Sequence, residues 1–225
     1  VGLLAGVIGL WAWQAAIDVQ PSQRRPNTPP ENTSADDPGA RAGRRLLIAQ
    51  GLFSLGLVPH SIYWVDYLVV AHQWPLASAS QQWALFGLGA VTGTVLWGLL
   101  ADRLGFGRAL VLVFTSLAIG IALPLLTSAM AIAVVSSLVV GAQPGFSAIV
   151  AGRAQLAVGP AAMLVLWRWM VVAVGAAQII GGAGLVYLFA LTASYPLVFA
   201  IGAMAMAAGA IVVAGLPSDR AAKQG

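Results

Sequence analysis

Ionisable side chains are scarce in the apolar runs of this chain, and the few that occur define the chemistry open to it. Behind Pro59, the residues His60, Tyr63, Trp64 and Tyr67 recur at helical spacing. Residues three and four apart share a helix face, so the spacing predicts one polar-aromatic stripe, suited to lining a solute path or to packing against neighbouring helices. Asp66 is the only carboxylate inside an apolar run. Burial favours the protonated form of a carboxylate, as a proton-coupling site needs, whereas the place of Asp66 near the end of its run equally fits a hydrated structural role. Arg168 follows Pro160 by eight residues, and a guanidinium at that depth can snorkel back to the headgroups. Gln178, farther along the same run, can hydrogen-bond a solute or a neighbouring helix.

Several chemistries are excluded. G-x-S-x-G, H-E-x-x-H and phosphate-binding loop patterns are absent, the only histidines are His60 and His72, and there is no cysteine. No catalytic set, metal site or cofactor is expected, so the chain does not read as an enzyme. With 60% hydrophobic and 8% charged residues it falls far below the roughly one-quarter charged content of soluble domains. Lipid must then be its solvent. The net charge of +4 is too thinly spread for a nucleic-acid face.

The elements that must position these residues follow from hydropathy. Residues 1–17 read as the end of a membrane helix whose start is missing, the chain opening at Val1 inside an apolar run. Residues 18–45 hold five of the twelve prolines and nine of the eighteen charged residues, the composition of a flexible, water-exposed loop. Residues 46–216 carry six apolar runs, expected at 46–71, 83–101, 109–124, 129–151, 161–189 and 194–216, and residues 217–225 form a polar tail. The expected fold is therefore all-α, a polytopic membrane bundle of six helices with a partial helix ahead of it.

Base placement orients the bundle. Ten of the eleven Lys and Arg residues fall in alternate connections on one side, with Arg153 expected in a loop there, and the intervening connections hold none. By the positive-inside rule that side is cytoplasmic. Close helix approach is expected at Gly89 and Gly93, at Gly202, Ala205 and Gly209, and in the Gly181-Gly182-x-Gly184 cluster, with a bend at Gly141-Ala142-Gln143-Pro144-Gly145.

Between the second and third runs lies Gly98-Leu99-Leu100-Ala101-Asp102-Arg103-Leu104-Gly105-Phe106-Gly107-Arg108. This stretch resembles the loop signature G-x-L-x-D-R-x-G-R-[RK] of the major facilitator superfamily. Gly98, Leu100, Asp102, Arg103 and Gly105 match it, whereas Phe106 and Gly107 stand where the family has bases and the next base is Arg108. A degenerate copy of this kind is what the family carries in its second half. Pro59 to Tyr67, Trp83 to Ala90 and Trp167 to Gln178 are similar to the YbfB/YjiJ-type branch. The resemblance implies the carboxy-terminal half of a secondary transporter of a small solute in an inner membrane, working by alternating access, with protons as a candidate coupling ion. It implies a gating role for Gly98, Asp102, Arg103, Gly105 and Arg108, a place for His60, Tyr63, Asp66, Tyr67 and Gln178 on the solute path or in coupling, and an acidic partner for Arg168 in the preceding six-helix half. A membrane enzyme whose catalytic residues lie upstream, and a non-transporting partner subunit, are the alternatives.

Overall fold

A computed structural model describes residues 38–216, and every element in that range is helical. The expected segments 1–17 and 217–225, and residues 18–37 of the expected loop, lie outside the described residues. Helix α1 runs Pro38–Ala71, α2 Leu76–Leu104 and α3 Phe106–Leu125. The next apolar stretch, Met130–Thr192, is 63 residues long. At about 1.5 Å per residue that is roughly three times a bilayer core of about 30 Å, so it cannot be one crossing. Gly159, at φ 71° and ψ 170°, divides it into α4 (130–158) and α5 (160–192). Helix α6, Tyr195–Ala214, completes the set.

Side-chain neighbours fix the direction of each crossing. Asp66 meets Tyr195, and Gly56 lies against Met206, so α1 and α6 run antiparallel. Gly43 faces Leu166 and Tyr63 faces Leu185, so α1 and α5 run parallel. Phe106 packs on Gly152, Phe114 on Phe146 and Gly120 on Val140, which makes α3 and α4 antiparallel. These pairings require the chain to reverse at Gly159. Six crossings result, with the starts of α1, α3 and α5 at one end. Every described Lys or Arg lies toward that end, called here the basic end.

Termini follow local chemistry. Pro75, extended at φ −56° and ψ 135°, opens α2, and the Ser194 hydroxyl accepts a hydrogen bond from the Leu197 amide (3.4 Å) to cap α6. At the basic end the connections shrink to one residue each. Gly105, at φ 86°, ends α2, and α3 starts at the next residue. Both Gly105 and Gly159 hold positive φ, which a Cβ would strain.

The core gathers around α1. Phe53 stacks on Phe146 at 3.9 Å and meets Phe114 edge-on at 6.2 Å, joining α1, α3 and α4. Helices α2 and α4 meet backbone to backbone: a Cβ on Gly89 would overlap the Leu138 carbonyl, one on Gly93 would overlap Ala142, and one on Gly141 would overlap Phe86. The expected close approach thus involves glycines on both helices, and the bend appears as a turn at 142–144 that interrupts α4. Gly202 likewise fits against Pro59 and Gly209 against Phe114.

Four boundaries differ from the hydropathy reading, among them the start of α2, which lies at Leu76 and not at residue 83 because the polar stretch 78–82 is helical. Helix α1 starts at Pro38, because Arg41, Arg44 and Arg45 extend it into the aqueous zone and a hydropathy window cannot see a charged turn as helix. The signature around Asp102 is no open loop, since α2 continues through Leu104. Arg153 is not in a loop: it lies within α4 and is fully buried, because helix continues to Gly159.

Candidate functional site

Proline at position 59 has no amide hydrogen to give the preceding turn, and the helix widens there into a π-turn, Pro59–Tyr63. The Ser61 hydroxyl donates to the Leu57 carbonyl one turn back (3.0 Å). A second π-turn, Tyr67–Ala71, follows the short α-segment Trp64–Asp66. Between and within these turns sit all the polar-aromatic residues singled out from the sequence.

His60 and Trp64 point into the bundle, each 1% exposed. His60 Nε2 lies 2.9 Å from Ser136 Oγ, and Ser136 Oγ donates its single hydrogen to the Gly120 carbonyl (2.7 Å). Nε2 must therefore carry the imidazole proton, leaving Nδ1, which has no partner, as a bare acceptor. In parallel, Trp64 Nε1 donates to Ser137 Oγ (2.9 Å), which donates to Gln82 Oε1 (2.8 Å). The adjacent serines of α4 thereby tie α1 to α3 and to α2. His60 also stacks on Trp64 at 4.7 Å and meets the Phe199 edge at 5.4 Å. Of the expected stripe, these two members face neighbouring helices within the bundle. Gln82, Ser136 and Ser137 were not singled out from the sequence, although a serine pair at the centre of an apolar run was the available signal.

Farther along α1 the contacts turn outward. Tyr67 donates to the Pro124 carbonyl (3.0 Å), and Tyr63 reaches the Leu185 carbonyl at 3.5 Å. Tyr195 donates to Asp66 Oδ2, fastening α1 to the first turn of α6. Rings of Tyr63, Tyr67 and Phe189 surround Tyr195 at 6.3, 5.4 and 4.6 Å. Asp66 itself is exposed. Above Trp64 a cavity of about 10 Å³, the size of one water, reaches His72 and Ser128, and His72 Nε2 is buried there without a partner.

The remaining residues lie apart from this group. Asp102 and Arg103 are exposed in the last turn of α2 and Arg108 in the first turn of α3, and no neighbour lies within 4 Å of a Cβ placed on Gly98. Arg168 and Gln178 are both exposed on α5. The structure thus brings Tyr63, Asp66 and Tyr67 together with Tyr195, keeps His60 one turn below them, and leaves the signature and Arg168 at the basic end. Among the described residues no group of three or more His, Cys, Asp or Glu side chains could hold a metal ion.

Comparison with known proteins places this arrangement. A search of curated proteins gave no match. Residues 1–214 match the family described as "Uncharacterised MFS-type transporter YbfB". An all-helical chain of apolar crossings with that match over nearly its whole length belongs to the YbfB-type family of the major facilitator superfamily of membrane transporters.

Proposed function

We propose that the chain is the second six-helix half of a secondary active transporter that moves a small solute by alternating access. In this reading residues 18–37 connect it to a preceding half, and the basic end with the polar tail faces the cytoplasm across an inner membrane. The observation that carries the proposal is the pairing of six crossings with bases confined to one end, which is the charge pattern of a facilitator half under the positive-inside rule. Rocking of two bundles about a midplane site needs rigid halves, and the serine-linked joint of α1, α2, α3 and α4 together with the glycine contacts of α2 and α4 supports that rigidity.

Asp102, Arg103 and Arg108 then act as a latch on the cytoplasmic side, and Arg168 meets an acidic group of the other half. Their exposure in this bundle leaves them open to such contacts. His60, Tyr63, Tyr67 and Gln178 belong to coupling or to the solute path, with protons as the coupling ion. The test is uptake and efflux of a solute panel by the full-length protein in proteoliposomes, with and without a proton gradient. Wild type is expected to move at least one solute down to gradient-driven accumulation. Asp102→Asn is expected to shift the inward/outward balance in accessibility labelling, and an unchanged balance would reduce these charges to a topogenic role.

A further inference from the structure

A cavity of about 220 Å³ opens at the basic end, between the start of α1 and the end of α6. Pro38, Arg41, Ala42, Arg45 and Gly215 line it, whereas Arg44, on the same turn of α1, does not. Arg41 and Arg45 stand four residues apart and so share one helix face. The Arg45 guanidinium is laid against the end of α6: a Cβ on Gly215 would overlap its Nη1 and Cζ. It is therefore turned toward the cavity by packing, and it has no hydrogen-bond or ion-pair partner among the described residues.

The depth of the cavity selects what can fill it. Helix α6 has 20 residues, about 30 Å at about 1.5 Å per residue, which is the thickness of a bilayer core. Gly215, one residue beyond it, lies where hydrocarbon gives way to headgroups. Arg45 is the last residue before the apolar run that opens at Leu46, which puts it at the same level. Guanidinium groups there meet the phosphate layer, and their forked donors suit phosphate oxygens better than a lone ammonium does.

We propose that Arg41 and Arg45 form a binding site for a phosphate group of net negative charge, supplied by the headgroup of an anionic phospholipid or by free phosphate. Gly215 is part of the site because a side chain there would push the Arg45 guanidinium out of place. The nearest acids in the sequence, Asp36, Asp37 and Asp219, are the rival occupants. The site stands whether or not the chain moves a solute.

The test follows the melting midpoint of purified full-length protein in maltoside detergent, titrated with dihexanoyl phosphatidylglycerol, dihexanoyl phosphatidylcholine or inorganic phosphate. The phosphatidylglycerol is expected to raise the midpoint and the zwitterionic phosphatidylcholine to leave it unchanged. A matching rise with inorganic phosphate identifies the soluble anion as a source, and no rise with it identifies the lipid; either supports the site. Arg41→Gln and Arg45→Gln are expected to weaken the apparent affinity for the active anion by about tenfold, with Arg44→Gln within about threefold of wild type. Gly215→Ala, which keeps every charge, is expected to weaken it by more than threefold. Equal effects of the two lipids, an Arg44→Gln loss as large as that of Arg45→Gln, or unchanged affinity in Gly215→Ala overturns the site. If wild type responds to no anion and the combined Asp36→Asn, Asp37→Asn and Asp219→Asn variant gains a response, the chain's own carboxylates fill the cavity and the proposal is overturned.

Discussion

Ser136 shows how much a single hydroxyl can carry inside a membrane bundle. It accepts from His60 and donates to the Gly120 carbonyl, so its removal leaves two buried polar groups without partners. Ser136→Ala is expected to cost about 1–3 kcal/mol, whereas Ser61→Ala, which loses a bond only within its own helix, should cost well under 1 kcal/mol. Thermal unfolding in detergent, comparing the two variants, checks the difference. The histidine was legible in the sequence as a residue with chemistry, and its partner was not. Helical spacing says which residues share a face but not which helix that face will meet, so the ties of His60 and Trp64 to the two serines of α4 were not legible. Asp66 was legible as a lone carboxylate, and its tie to Tyr195, 129 residues away, was invisible without the fold.

At the scale of elements, the contact of α2 with α4 turns on glycines that differ in what surrounds them. The three atoms nearest a Cβ on Gly93 all belong to Ala142, two of them backbone and none able to rotate away, whereas nothing lies within 4 Å of a Cβ on Gly98. Gly93→Ala is therefore expected to destabilise by about 1–3 kcal/mol through overpacking, and Gly98→Ala to be neutral or to stabilise by up to about 1 kcal/mol through helix propensity. A melt of the two variants separates packing from propensity, and a Gly98→Ala protein that is stable but impaired in transport would locate the use of this glycine outside the described bundle. Apolar runs made the number of crossings legible, since lipid imposes their length. The ends were less so: α1 gains its first two turns from charged residues that hydropathy assigns to a loop, and α4 runs past its expected end at 151, through the buried Arg153, before it meets α5 at Gly159.

For the whole molecule, the absence of cysteine gives a direct test of topology. Single substitutions Gln73→Cys and Ser128→Cys, at the end remote from the bases, are expected to react with a membrane-impermeant maleimide added outside intact cells, and Arg108→Cys only after the membrane is opened. The reverse pattern would invert the orientation. Charge asymmetry is the source of this expectation, because topology depends on counts of bases more than on contacts. The solute was not readable, since helical spacing leaves open which face of each crossing turns toward its neighbours. The two joints at Gly105 and Gly159 carry a practical consequence. With one residue between consecutive helices, neither has slack for an epitope tag, a protease site or a fluorescent insert, and any such handle would pull apart the helix pair it joins. The longer connection at 126–129, on the opposite end, is where a reporter can be inserted while the bundle keeps its shape.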